Sequence, residues 1–344
     1  MKFALYLKPL FCSTILGCSL CIYTFIACDH SESNETVFEA VIDMNTHTDS
    51  SQSSLEDHGP SNDISVDEPS PIEYPLDDQL RVNHIQALGT HNSYHLQSDI
   101  DILPWRYEHL PLNEQLERQG VRQFELDLYE INPTEIQVFH IERLDDRSNC
   151  DSLRSCFEEI QGWSEQNPQH HPLLILLEPK SHLGTPQEFI HSLEEIIKET
   201  WPSKQLLTPR LVQKDYVDLK TAITEEGWPT LGEVRGRSIL ILHTGGELRE
   251  AYLNASGGTK ERLMFPDAYG DLSQPFAAYH SINNPIGSFD LIQTVVGEGH
   301  LVRTRADADN VEPNVLDYSR SQSALDSGAH FLSTDHPYPR SETN

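Results

Sequence analysis

An α/β fold, most simply a (β/α)8 barrel, is what this sequence predicts. Three observations lead to it. Short apolar runs recur after residue 81, and amphipathic helical stretches separate several of them. No linker interrupts residues 81–340, so the runs belong to one large domain. Roughly eight strand-and-helix units over such a length is the size of a barrel with parallel strands inside and helices outside.

The apolar runs lie at residues 84–88, 122–128, 136–141, 173–177, 238–242, 276–280, 301–304 and 330–333. Amphipathic stretches cover residues 150–166, 186–199, 289–296 and 317–324. Two elements stay open. Residues 206–212 fit a further strand, and residues 136–141 fit one arm of a hairpin.

The second run is the most informative. Phe124, Leu126 and Leu128 alternate with Glu125, Asp127 and Tyr129. Period two is the mark of a strand, with one apolar face and one carrying two carboxylates. Carboxylates side by side repel unless a cation or a shared proton lies between them. A hard divalent cation with oxygen ligands resolves the conflict. The plainer alternative is a strand with a wet outer face.

In a barrel the chemistry collects where strands end. Gly89-Thr-His-Asn-Ser-Tyr94 follows the first run, and His140 ends the third. Glu178-Pro-Lys180 follows five consecutive Leu and Ile residues, so a buried strand delivers a carboxylate that needs a partner. Arg303 and Arg305 end a late run, and Ser333-Thr-Asp335 ends the last. His91 and His140 are candidate catalytic groups; each could instead satisfy a turn or a strand end. Lys180, Arg303 and Arg305 suit an anion such as phosphate, with salt bridges to the many acids as the alternative.

The first 28 residues form a targeting segment. Lys2 and Lys8 precede an uncharged apolar run that ends at Phe25-Ile26-Ala27-Cys28. A small residue before Cys28 resembles a bacterial lipoprotein signal, with Cys28 as the lipidated residue. An ordinary secretory signal and an uncleaved anchor are the alternatives. All three export the chain, to a cell-envelope or secreted location. Cys150 and Cys156 remain in the exported domain and read as a local disulfide.

Residues 29–80 read as a disordered tether. They hold 14 acidic residues and no Lys or Arg. The whole chain carries a net charge of -30, and about -18 remains once the tether and targeting segment are set aside. That balance argues against nucleic acid as a partner and against strong attraction to an anionic membrane. A monomer is expected.

Taken in order, these motifs resemble the phosphatidylinositol-specific phospholipase C superfamily, and within it the bacterial calcium-dependent enzymes. The resemblance runs through Gly89–Tyr94, Glu125-Leu-Asp127, Val138-Phe-His140 and Leu176-Leu-Glu178-Pro-Lys180. It continues through Gly227-Trp-Pro-Thr-Leu231, Asn284-Pro285, Val302–Asp309 and Ser327–Asp335. It implies a TIM-type barrel of the PLC-like phosphodiesterase kind, which need not be fully closed. It also implies Ca2+ as cofactor, with Asn92, Glu125, Asp127 and Glu178 as ligands, and His91 and His140 as the active-site histidines. The implied reaction is attack of the inositol 2-hydroxyl on phosphorus. It releases diacylglycerol and an inositol phosphate, from phosphatidylinositol or a GPI-type phosphodiester. Two other functions are weighed against it. A glycerophosphodiester phosphodiesterase shares the barrel and metal logic but typically begins with His-Arg-Gly. A non-catalytic surface module binding phosphoinositol headgroups would be expected to lack a histidine or a metal carboxylate, and none is missing here.

Overall fold

The computed structural model describes residues 73–254 and 257–337. The expected targeting segment, with Cys28, and residues 29–72 of the expected tether lie outside them. Packing already includes Tyr74 and Asp77, ahead of the expected start at Arg81. The Arg235 guanidinium lies 3.6 Å from the Tyr74 ring centre, and its Nε is 2.6 Å from Asp77 Oδ2.

Eight parallel strands form the barrel. They are β1 (Ala87–Thr90), β2 (Gln123–Asn132), β4 (Leu173–Ser181), β5 (Ser238–Leu242), β6 (Phe265–Pro266), β7 (Tyr279–Ser281), β8 (Leu301–Arg305) and β9 (Phe331–Thr334). A further strand, β3 (Glu135–Val138), pairs antiparallel with β2, so the third apolar run is the hairpin arm. The order β6-β5-β4-β2-β1-β9-β8-β7 leaves β6 and β7 at the two ends. A single bridge between Asp267 and Tyr279, with Ala268 N donating to Tyr279 O at 3.1 Å, closes the ring there. The barrel is therefore nearly closed, with its weakest seam at β6.

β4 and β5 show why the strands form. Leu173–Leu177 and Ser238–Leu242 are buried throughout, as strands covered on both faces must be. Parity sorts their side chains. Leu173, Ile175 and Leu177 join Phe124, Leu126 and Leu128 in a layer against α1 (Leu112–Arg118), α2 (Leu153–Gln166) and α3 (Pro186–Thr200). Leu174, Leu176, Ile239, Ile241, Phe265, Leu301 and Phe331 share a second cluster inside the barrel. Each fully buried Leu or Ile contributes roughly 1.5–3 kcal/mol. Trp228, Val82, Leu219 and Ile223 continue the inner cluster as the floor of the barrel.

This parity positions the chemistry. Residues that follow the inner positions of each strand by two or four point inward at its C-terminal end. They are Glu125 and Asp127 on β2, Glu178 on β4, Arg303 and Arg305 on β8, and Asp335 just past β9. Asp127 and Glu178 are direct cross-strand partners.

The helices follow ordinary local rules. Ser152 caps α2, accepting from Ser155 N at 3.2 Å, and the Cys150–Cys156 disulfide ties the preceding loop to its first turn. Thr185, Pro186 and Glu188 form a capping box with proline at the first turn of α3. Residues 206–212 are not a strand beyond one bridge at Leu206. Pro209 opens the short helix α4 (Pro209–Gln213) instead. α5 (Leu219–Glu225), α6 (Leu231–Val234) and α7 (Gly246–Leu253) follow, then α8 (Phe289–Gly297), α9 (Val311–Val315) and α10 (Ser319–Asp326).

Candidate active site

His91 and Asn92 open the loop after β1. The His91 Nδ1 lies 2.7 Å from Asp335 Oδ1, and Arg305 Nη2 donates to Asp335 Oδ2 at 2.9 Å. Burial, then the Arg305 charge, holds the His91 pKa below its ordinary value against the pull of Asp335. Burial opposes ionisation of Asp335, but His91 and Arg305 outweigh it and keep the carboxylate charged. The result is a neutral imidazole whose Nδ1 is anchored and whose Nε2 has no hydrogen-bond partner among the described residues.

His140 has its own anchor. Its Nδ1 lies 2.7 Å from Asp145 Oδ2, and the same carboxylate holds His95 Nε2 at 2.9 Å. Burial works against the Asp145 charge, yet the two histidines lower its pKa to about 2. The loop from His91 to His109 joins the two histidine systems. Tyr107 stacks on His95 with ring centres 4.3 Å apart, accepts from Asn92 Nδ2 at 3.3 Å, and Trp105 meets the His140 ring edge-on at 5.9 Å.

Between these systems lies the acidic group. Asp127 is wholly buried, and neither of its carboxylate oxygens has a hydrogen bond. Burial first, then the charges of Glu178 and Glu125, raises its pKa well above the usual range, although Lys180 opposes this. Lys180 Nζ sits 2.6 Å from Glu178 Oε1 and 3.4 Å from Asp127 Oδ2. Burial works against the Glu125 charge too, but Arg303, His91, His243 and Arg305 hold its pKa down. Arg303 pairs directly with Glu125 Oε2 and donates to Asn283 Oδ1 at 2.6 Å.

The three cations expected at a substrate anion all lie among acids. Arg303 was expected to meet a substrate anion, but its side chain is fully buried and its charge faces Glu125. Its place on an inward position of β8 explains this. Arg305 is engaged by Asp335, and Lys180 by Glu178, so each of the three cations is paired with an acid in this structure. Of these, Lys180 is the most exposed.

His243 and Asp267 were not anticipated. His243 Nδ1 lies 2.7 Å from Asp267 Oδ2, and its Nε2 is 3.9 Å from Glu178 Oε2. Burial opposes the His243 charge, but Asp267 raises its pKa. Tyr269 lies over His243 with ring centres 5.4 Å apart. One donor atom each of Glu125, Glu178 and His243 falls within 4.8 Å of the others.

The donor chemistry fits a divalent cation. Asp127 is a buried carboxylate that nothing hydrogen-bonds, flanked by two more carboxylates, and the one ammonium of Lys180, shared with Glu178, leaves this group short of positive charge. Glu125, Asp127 and Glu178 are hard oxygen donors of the kind calcium takes. Asn92 is buried in a left-handed conformation at φ 44°, and its Nδ2 donates to the Tyr107 hydroxyl at 3.3 Å. Its Ser93 neighbour donates its backbone N–H to Glu125 O at 3.0 Å, which brings the first loop against β2.

The sequence profile of the family described as phosphoinositide phospholipase C, Ca2+-dependent, matches residues 80–134 and 130–344. The chain belongs to this family. It is therefore an enzyme family member with a PLC-like phosphodiesterase barrel, and Ca2+ is the family's cofactor. Among solved structures, the calcium-dependent phosphoinositol-specific phospholipase C of a Pseudomonas species is similar at 18% identity and a TM-score of 0.58. That match covers 76% of this chain and 92% of the other. The Ca2+-dependent phosphatidylinositol-specific phospholipase C of Streptomyces antibioticus is similar at 16% identity and a TM-score of 0.56, over 75% and 95% of the two chains. A myo-inositol complex of the Pseudomonas protein matches at 17% identity and a TM-score of 0.58, over 77% and 93%. No curated protein matches by sequence.

Proposed function

We propose that this protein cleaves phosphatidylinositol-type phosphodiesters by the phospholipase C reaction. The observation that carries the proposal is the pairing of two separately anchored histidines with a buried carboxylate cluster at one end of the barrel. His91 accepts the proton of the inositol 2-hydroxyl at Nε2, while Asp335 fixes Nδ1 and stabilises the imidazolium that forms. The hydroxyl oxygen attacks the neighbouring phosphorus, and the bond from phosphorus to the diacylglycerol oxygen breaks. His140 donates a proton from Nε2 to that leaving oxygen, with Asp145 holding the ring by Nδ1. The nucleophile belongs to the same molecule as the phosphorus, so positioning does much of the work. Glu125, Asp127 and Glu178, with Asn92, are the proposed calcium ligands. When bound, calcium supplies charge stabilisation to the attacking oxygen and the phosphoryl oxygens. Lys180, partly exposed beside Glu178, is the cation best placed to meet the substrate phosphate.

A lipid substrate is supported by the rim of the barrel mouth. Ile100, Ile102 and Leu103 are exposed in the loop after β1, and Val311, Val315 and Leu316 in the segment after β8. Asn310 Nδ2 joins the two segments, donating to Leu103 O and Arg106 O at 3.0 Å each. Exposed apolar side chains gathered at a site entrance suit a surface of acyl chains. Export and anchoring through Cys28, with the acidic segment as tether, complete the proposal and rest on the sequence alone. No helix of the described residues is long and apolar enough to cross a membrane.

The experiment is cleavage of phosphatidylinositol in mixed micelles by the full chain, with calcium and then with a chelator. Calcium-restored release of diacylglycerol is the expected result. Hydrolysis of glycerophosphodiesters with no action on phosphatidylinositol would move the assignment to that class. Calcium-dependent headgroup binding without turnover would make the protein a binding module.

A further inference from the structure

The cation cluster contains a donor that calcium has little use for. His243 is buried at the end of β5, with Nδ1 tied to Asp267 and Nε2 toward Glu178. Calcium takes oxygen ligands, whereas imidazole nitrogen suits zinc and other borderline divalent ions. The carboxylates are also half engaged. Arg303 holds Oε2 of Glu125 and Lys180 holds Oε1 of Glu178, which leaves the other oxygen of each. One donor atom each of Glu125, Glu178 and His243 lies within 4.8 Å of the others, so small side-chain shifts bring all three onto one ion.

The histidine is braced as a metal ligand is. A ligating imidazole usually gives its second ring nitrogen to a carboxylate, which fixes the ring and raises its donor strength. Asp267 fills that place at 2.7 Å, and is itself held by Ser281 N at 3.0 Å and Tyr269 N at 2.8 Å. A second observation points to the same need for positive charge. Asp127 is wholly buried with neither oxygen hydrogen-bonded, in the field of Glu125 and Glu178, and Lys180, already shared with Glu178, is the one cation near it among the described residues, 3.4 Å from Oδ2.

We propose that Glu125, Glu178 and His243 bind a zinc-class divalent transition-metal ion, with Nε2 of His243 as the nitrogen ligand, in competition with calcium. Zinc sites are commonly built from three protein ligands with carboxylate and imidazole donors, at bonds of about 2.0–2.2 Å. Calcium holds six to eight oxygens at longer range and keeps places for substrate oxygens. Zinc in the cluster thus draws in the two glutamates and leaves fewer places for a phosphodiester, so it inhibits. The inference rests on reading the cluster as a cation site, not on lipid turnover.

The competing account makes His243 an imidazolium that offsets the charge of Glu178. The two accounts predict opposite signs. Zn2+ and Ca2+ affinities are measured by isothermal titration calorimetry on the full chain, for wild type, His243→Ala and Asp267→Asn, with thermal melting to confirm folding. Ligation predicts that His243→Ala weakens Zn2+ binding by at least the roughly 10–100-fold that loss of an outer-shell partner costs, and leaves Ca2+, which takes oxygen ligands, little changed. Asp267→Asn weakens Zn2+ binding by about 10-fold or more. Unchanged Zn2+ affinity in His243→Ala, or tighter binding of both ions, overturns the proposal. Should either variant fail to fold, Co2+ is titrated into the wild type. An intense visible absorption band, as from a four- or five-coordinate ion with a nitrogen ligand, supports the site, and a weak octahedral spectrum overturns it. Failure of Ca2+ to bind the wild type counts against the proposed function, while the Zn2+ comparison still decides this inference.

Discussion

Replacing Asp335 by Asn tests the anchoring of the proposed base. Asp335 is buried and meets two cationic or polar partners at once, His91 Nδ1 at 2.7 Å and Arg305 Nη2 at 2.9 Å. An amide of the same shape has one acceptor oxygen where the carboxylate has two. If that oxygen stays on Arg305, the amide N–H groups face His91 Nδ1. The imidazole proton then moves to Nε2, the atom that must accept the hydroxyl proton. The expected loss is about 10²–10⁴-fold in kcat, the scale of a general base, with KM little changed. Arg305 keeps the fields of Asp307 and Glu125. The stability cost should therefore fall below the ~3–5 kcal/mol of a broken buried pair. Because Asp335 raises the His91 pKa, its removal moves the acid limb of the pH profile to lower pH. The assay is phosphatidylinositol cleavage at saturating calcium across pH, with melting curves as a folding control. The double variant with His91→Ala should be no slower than His91→Ala alone, since the two residues act as a unit. A loss below tenfold, or additive losses in the double variant, would refute the assignment.

Other tests reach different parts of the account. Asp127→Asn should abolish calcium activation, yet raise the melting temperature of the chelated protein at neutral pH by several degrees, because burial raises the Asp127 pKa and folding must then hold a proton on the carboxyl that an amide does not need; a lower melting temperature would contradict the cluster's reading. Asp307 has a pKa raised to about 7 from 3.8, by burial and by Asp335. The folded state binds this proton more tightly than the unfolded chain. Its contribution to stability therefore falls as pH rises from about 4 to about 7, then levels. Urea midpoints should show Asp307→Asn gaining on wild type over that window, and a constant difference would argue against it. The double change Cys150→Ser and Cys156→Ser should cost about 2 kcal/mol by the loop-entropy account, read from the same urea midpoints, with the site histidines unaffected. Serine at both Ile102 and Leu316 should slow cleavage in vesicles several-fold but spare a soluble short-chain substrate; equal effects on both would place the rim outside lipid contact.

Much of the site was legible because strand parity separates chemistry from packing. The alternation at Phe124–Tyr129 reports two real environments, helices on one side and the barrel interior on the other. The five-residue run before Glu178 works the same way. β6 was not legible, since two residues, one of them proline, carry no period. Asp267 was lost with it. His243 could have been found, because it follows the 238–242 run as Glu178 follows 173–177. Asp145 and His95 lie in loops, where spacing carries no geometric information. The roles of Arg303 and Arg305 were obscured for a different reason. Sequence shows a positive charge but not which acid will be nearest once β2, β8 and β9 close into one ring.

The most direct measurement is a crystal structure of the protein soaked in calcium, read by anomalous scattering. The account predicts one peak about 2.3–2.6 Å from oxygens of Glu125, Asp127 and Glu178. No peak there, with Lys180 still on Glu178 and Arg303 still on Glu125, would contradict it.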